Sequence, residues 1–291
     1  MSQRPGTVID VLGKAEGYLK SHGCQSARLD AGLLLAHVLK TDRIQLYVDH
    51  SRPLDQQELA SYRLLAKRRA ASEPVAYLIG KKEFWSMSFA VDPRVLIPRP
   101  DTETLLEEVL ELFGPEDESR AFRFADVGTG SGCLACALAK TFPRSQGVAI
   151  DRDPNALAVA RANRDSHDLT ARVDLKSGDL LEPVRDQSFD LICANLPYIP
   201  SQDLSKLSMD IRLHEPLAAL DGGPDGLAPI RKLISAAPGC LEPGGWLLLE
   251  VGDQQAAAVG ELCRQADFTD IHTRRDLSKT ERVVVAKRSG M

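Results

Sequence analysis

The sequence predicts an α/β protein: a doubly wound, mostly parallel sheet of seven strands with an antiparallel last strand, plus a small N-terminal helical bundle joined to it by a β-hairpin. Three observations carry this. From Phe122 onward, short apolar runs alternate with helical patterns: FRFADVG, GVAIDRD, ARVDLKSGD, FDLICANLP, GWLLLEVG, FTDIHTRRD and ERVVVAKR. That rhythm is the one parallel strands with crossover helices produce. The last two runs are separated only by the polar loop DLSKT, too short for a crossover, so the final strand returns antiparallel. Ahead of this region, from Thr7 to about Ala71, apolar residues recur instead at three and four.

Three helices are expected in that first region, over VIDVLGKAEGYLKSHG, SARLDAGLLLAHVLK and DQQELASYRLLAKRRA, each ended by a polar or Gly/Pro-containing turn. EFWSMSFAV and RVLIPR then alternate around Asp92-Pro93 and read as the linking hairpin. Asp101 or Thr102 is expected to cap a helix over TETLLEEVLELFG. PEDES at 115–119 reads as an acidic loop, and no repeat or low-complexity tract is evident. The expected domains are 1–80, helical and substrate-recognising; 81–100, the hairpin linker; and 101–291, cofactor-binding and catalytic.

With 291 residues, 43% hydrophobic and 26% charged, the chain has enough apolar material for two cores. No apolar run approaches the roughly 18 residues of a membrane span, and MSQRPGTVID lacks a signal-peptide hydrophobic region, so a cytoplasmic location is expected. Six cysteines (24, 133, 136, 193, 240 and 263) are scattered through apolar segments and read as reduced and buried. Cys133 and Cys136 have zinc-pair spacing, but no second pair accompanies them in GCLACALAK, whose small apolar residues suit a helix packed on a sheet; no metal is expected. Residues 1–90 carry 13 basic and 9 acidic side chains, a balance of +4, which leaves −9 for the remainder of a chain whose total is −5. A long nucleic acid needs a broadly basic face, so direct nucleic-acid binding is not expected. The cluster Arg63, Lys67, Arg68, Arg69, Lys81 and Lys82 is either a solvated helix face or a docking patch.

The cofactor signal begins at Asp126-Val127-Gly128-Thr129-Gly130-Ser131-Gly132, between the first strand and a helix. Glycines there allow a tight turn and close approach of the backbone to a ligand, and the helix start offers unpaired N–H groups. The next strand ends in AIDRD and places Asp151 nineteen residues after Gly132, where a carboxylate accepts ribose hydroxyls. A third strand ends in Gly178-Asp179-Leu180, an acceptor for an exocyclic amine followed by an apolar neighbour for a ring. A fourth ends in Asn195-Leu196-Pro197-Tyr198. Pro197 biases Leu196 toward an extended conformation and turns the carbonyls of residues 195 and 196 outward as acceptors.

An amide nitrogen is a poor nucleophile because its lone pair is delocalised. If its N–H groups donate to the Asn195 side-chain oxygen and the Leu196 carbonyl, the lone pair is held toward an incoming electrophile. Tyr198 would lie against the planar substrate group and near a cationic donor. No base with a tuned pKa is needed, because the proton becomes acidic once nitrogen is alkylated.

The strand-end sites resemble the S-adenosylmethionine pocket of class I methyltransferases, and Asn195 to Tyr198 resembles the Asn-Pro-Pro-Tyr motif of amino-methyltransferases. With LIPRPDTETLLEEVL at 96–110, DVGTGSG at 126–132 and HEPLAALDGGPDGL at 214–227, the whole chain resembles the peptide chain release factor glutamine methyltransferases. The resemblance implies methyl transfer from S-adenosyl-L-methionine, with S-adenosyl-L-homocysteine as product, to the glutamine nitrogen in the Gly-Gly-Gln motif of class 1 release factors. It implies cofactor contacts from Asp126, Gly128, Thr129, Gly130, Ser131, Gly132, Asp151, Asp179, Leu180 and Asn195. Substrate contacts and catalysis fall to Asn195, Leu196, Pro197 and Tyr198.

Leu196 departs from the family's first proline; Asn-Leu-Pro-Tyr is common in ribosomal RNA adenine dimethyltransferases. Those enzymes carry their helical domain after the catalytic one, whereas here it comes first. Glutamine methylation of a ribosomal protein, adenine methylation and a noncatalytic cofactor-binding module are the alternatives. Pro98, Arg99 and Pro100 either shape the inter-domain turn or touch the cofactor, and Glu215 and Pro216 order either a lid or a plain loop. His214 has no companion at ligand spacing.

Overall fold

A computed structural model describes residues 6–114 and 121–290; the acidic stretch at 115–119 lies outside the described residues. The chain forms two compact units, one reaching to Lys81 and including Ser208–His214, the other spanning Lys82–Leu207 and continuing from Glu215.

The helical unit contains α1 (Val8–Ser21), α2 (Ala27–Leu39), α3 (Arg43–Val48), α4 (Gln56–Ala70) and α5 (Val75–Ile79). Thr7 and Asp55 start α1 and α4 with reciprocal capping boxes, Thr7 with Asp10 and Asp55 with Glu58. Val8, Leu19, Leu34, Leu35, Leu46, Leu54 and Tyr62 form its core, and the Tyr62 hydroxyl donates to the Ala31 carbonyl at 3.0 Å. The six-residue α3 and five-residue α5 were not foreseen, because a segment of one or two turns shows too little periodicity to register.

The hairpin pairs β1 (Lys81–Phe84) with β2 (Met87–Ala90) and turns at Trp85 and Ser86, not at Asp92-Pro93 as the alternation suggested. Both turn residues have positive φ, 51° and 55°, the conformation that matches strand twist but favours glycine or asparagine. Tertiary contacts hold it: Trp85 N–H donates to Glu103 at 2.8 Å and its indole to Thr141 at 3.0 Å. RVLIPR forms no strand; the Ile97 N–H goes to the Glu215 carboxylate at 3.1 Å instead of a ladder.

The second unit continues with α6 (Glu103–Phe113), β3 (Arg123–Val127), α7 (Cys133–Thr141), β4 (Gln146–Asp151), α8 (Pro154–Ser166), β5 (Val173–Ser177) and β6 (Phe189–Ala194). The short α9 (Met209–His214) belongs to the helical unit, after which come α10 (Ala228–Cys240), β7 (Leu241–Glu250), α11 (Ala256–Gln265), β8 (Phe268–Arg275) and β9 (Glu281–Arg288). Seven strands pair in the order β5-β4-β3-β6-β7-β9-β8, parallel from β5 to β7 and antiparallel on both sides of β9. The strand runs read from sequence are all present; β9 lies between β7 and β8.

Two cores flank the sheet. One joins Ile150, Phe189, Ile192, Leu247 and Leu249 to α10 and α11, and the other joins Phe124, Leu191, Leu248 and Val285 to α6 and α7. Cys133 and Cys136 sit on α7, whose residues 133–139 are all buried, and burial pushes the Cys133 thiol up to about 12. Cys24 is only half-buried, unlike the other five cysteines. The expected cap of α6 is absent: a single 3₁₀ turn, Pro100–Thr102, leads into the helix, and neither side chain caps it. Asp101 faces Arg282 at 3.3 Å, and Thr102 is buried with its hydroxyl turned to Asn195. Among the described residues no helix is long and apolar enough to cross a membrane.

Candidate active site

Because β3, β4, β6 and β7 are parallel and in register, their ends line up. Val127 is the partner of both Ile150 and Ala194, and Ala194 is the partner of Leu249. The residues one step beyond are Gly128, Asp151, Asn195 and Glu250. Asp151 is in turn paired with Ser177, just before Gly178-Asp179. Five consecutive strands therefore deliver their chemistry to one edge, where ligands bind in open parallel sheets.

A cleft of about 160 Å³ follows this edge and is lined by Gly128, Gly130, Asp151, Asp179, Leu180, Asn195, Leu196 and Pro197. Val95, Leu96, Ala218 and Ala219 are among the other residues of its wall. Asp126, Thr129, Ser131, Gly132 and Tyr198, named with these from sequence, do not line it.

Asp126 is instead internal scaffolding. Its Oδ2 accepts from the Thr129 hydroxyl at 2.6 Å and the Ala135 N–H at 3.1 Å, tying the glycine loop to the first turn of α7. Burial pushes this carboxyl up to about 7, with those two hydrogen bonds pulling the other way. Gly132 begins α7 with φ 80°, and a Cβ there would meet Ala160 at 3.1 Å. Gly128, at φ 77°, lies so close to Leu196 that a Cβ would meet its Cδ2 at 2.9 Å. The buried leucine that replaces proline at 196 thus packs against the loop.

Asp151 has a rigid seat, with one oxygen taking the Gly130 N–H and the other the Asp153 N–H, each at 2.9 Å. Burial raises its pKa, and the two N–H groups oppose the rise. Each oxygen keeps a second lone pair, so the carboxylate fits a pair of vicinal hydroxyls. Gly130, at φ 55°, carries no side chain toward the neighbouring cleft, and Leu180 adopts the left-handed region at φ 48°, a strained placement for leucine. This set suits the ribose and ring of a nucleoside cofactor.

Asn195 donates from Nδ2 to the Thr102 hydroxyl at 2.9 Å. Downstream, the Tyr198 carbonyl accepts from Gln255 Nε2 at 2.8 Å and the Ile199 carbonyl from the Gly222 N–H at 2.9 Å, which pins the Asn-Leu-Pro-Tyr segment. The Tyr198 hydroxyl is 3.4 Å from Glu250, and burial raises its pKa. Glu250 is 1% exposed; burial lifts its carboxyl from 4.5 to about 7, against hydrogen bonding from Thr102 and the field of Arg282. Arg99 pairs with the buried Glu215, joining the PRP turn to HEPLAAL as a structural clasp.

Thr102 and Glu250 escaped sequence reasoning. A signal existed for Glu250: a carboxylate ending the apolar run WLLLE, at the edge where the other parallel strands also end in function. Thr102 gave none beyond its mistaken role as a helix cap.

The parallel sheet, the glycine loop and the acidic strand ends define a class I methyltransferase. The family model described as Methyltransferase small domain matches residues 102–215, and that of the PrmC N-terminal domain matches residues 10–80. The N-terminal domain of human METTL16 in complex with SAH shares the fold, with a TM-score of 0.55 at 18% identity, covering 77% of this chain and 84% of that one. The release factor glutamine methyltransferase of Geobacter sulfurreducens is 44% identical over 286 residues, 98% of each chain, and that of Caulobacter vibrioides is 39% identical over 96% of each. The chain belongs to the release factor glutamine methyltransferase family.

Proposed function

We propose that the enzyme methylates the side-chain nitrogen of the glutamine in the Gly-Gly-Gln motif of class 1 release factors, using S-adenosylmethionine held across the ends of β3, β4 and β5. The observation that carries this is the placement of Asn195 beside Gly128 in the same in-register row as Asp151, all three lining the cleft. Lining the cleft, Gly128 and Gly130 would admit the amino-acid part of the cofactor, Asp151 would accept from its ribose, and Asp179 and Leu180 would hold its ring. When bound, it supplies a sulfonium methyl whose C–S bond breaks as the N–C bond forms. Asn195 Oδ1 and the Leu196 carbonyl accept the two N–H bonds of the glutamine and aim its lone pair at that methyl. The nitrogen's extra proton then leaves to water.

Recognition of so small a group needs contacts remote from it, and the helical unit supports that role. A groove along α1 and α4 is lined by Lys14, Tyr18, Leu59, Arg63 and Lys67. Arg68 and Arg69 leave the expected basic patch, because Glu73 and Asp30 pair with them. Of the expected cluster, Arg63 and Lys67 line this groove and Lys81 and Lys82 do not; with Lys14, which the sequence reading did not include, they form the patch proposed to meet acidic groups on a release factor.

Incubation with labelled S-adenosylmethionine and purified release factor, followed by mapping of the label, tests the reading. One methyl on the Gly-Gly-Gln glutamine is expected, and Asn195→Ala should lower turnover about a hundredfold or more while cofactor affinity stays within a few-fold. Label on another protein would move the target, and normal turnover in Asn195→Ala would remove the acceptor role.

A further inference from the structure

An asparagine amide has two faces, and only one is useful to an amine. The glutamine nitrogen brings N–H donors, so Asn195 must present Oδ1; the flipped amide would set NH₂ against NH₂. We propose that Thr102 is the positioning residue that fixes Asn195 with its oxygen toward the substrate. This rests on the acceptor role given to Asn195.

The hydrogen bond itself supports the assignment. Asn195 donates from Nδ2 to the Thr102 hydroxyl at 2.9 Å. With Nδ2 engaged there, Oδ1 is the atom of the amide left to accept from a substrate N–H.

The placement has no other evident use. Thr102 stands at the entrance to α6 yet does not cap it, and it is 3% exposed.

The test compares Thr102→Val, which keeps the shape and loses the hydroxyl, with Thr102→Ser, which keeps the hydroxyl. Methylation of intact release factor is measured at saturating cofactor, in both the wild-type and Asn195→Ala backgrounds. Thr102→Val should lower kcat about tenfold, the worth of one hydrogen bond, with the release-factor KM and cofactor Kd within about twofold. Thr102→Ser should recover most of the loss. In the Asn195→Ala background Thr102→Val should change nothing further, since threonine acts only through that amide. Thr102→Ala replaces the valine variant if the latter does not fold.

Unchanged kcat in Thr102→Val, equal losses in the valine and serine variants, or the same loss with and without Asn195 would each overturn the proposal. Normal turnover in Asn195→Ala alone would instead sink the acceptor reading on which it rests, so the two failures are distinguishable.

Discussion

Asp30 in the helical unit and Glu250 in the catalytic unit are both nearly shut off from water, at 6% and 1% exposure, yet only Asp30 has a guanidinium in contact. Arg69 Nε sits 2.7 Å from Asp30, and a second nitrogen of the same arginine reaches the Glu73 carbonyl at 3.3 Å. Glu250 has a distant tyrosine hydroxyl near one oxygen and, among the described residues, no hydrogen-bond partner for the other. One unit uses buried charge to hold helices together. The other accepts a poorly solvated carboxylate, a left-handed Leu180 and a tightly cornered Gly128 at one edge of its sheet, where geometry for chemistry is worth more than stability.

The difference is sharpest in its response to pH. The Glu250 carboxyl rises from 4.5 to about 7 on folding, so between those values the folded chain keeps a proton that the unfolded chain releases. Stability therefore falls as pH rises through that window and levels off above it, by about 3 kcal/mol from this group. Glu250→Gln cannot titrate, so its stability relative to wild type should improve by up to that amount between pH 5 and pH 8 in urea unfolding of the cofactor-free protein. A pH-independent difference would mean that Glu250 is satisfied after all.

A smaller effect probes binding at the same edge. Asp151→Ala should weaken S-adenosylmethionine by about 10- to 100-fold, as expected for losing two hydrogen bonds to a charged acceptor, while the melting temperature of the helical unit stays unchanged. Calorimetric titration gives the affinity, and a change under twofold would remove Asp151 from the cofactor site.

The smallest effect is expected where charge is exposed. Arg63→Glu with Lys67→Glu should raise the release-factor KM about three- to tenfold at low salt and flatten its salt dependence, leaving cofactor affinity alone. Steady-state kinetics at two salt concentrations reads both, and an unaltered KM would confine the basic patch to solvation.

Much of the sheet was legible because each strand carries its own signal: an apolar run ending in glycine, aspartate or asparagine announces both a strand and its useful end. Gly128, Asp151, Asp179 and Asn195, all of which line the cleft, were read as strand ends that way. What stayed hidden depends on pairs far apart in the chain. Arg69 looked like part of a basic face until folding brought Asp30 against it, 39 residues away. Thr102 looked like a cap until Asn195, 93 residues on, took its hydroxyl. The turn at Trp85 and Ser86 defied its own residue preferences because Glu103 and Thr141 hold it.

The position of β9 also sets the order in which the sheet can be completed. Leu248 faces Val285 and Leu249 faces Val284 across the β7–β9 ladder, while β8 meets the sheet only through β9. A ribosome delivers β7 and β8 first, and until Glu281–Arg288 emerges both present open edges, one of them an apolar run of leucines. The last strand made is thus a wedge driven between two made earlier, and a nascent chain halted before residue 281 exposes the kind of unpaired, aggregation-prone edge that chaperones intercept.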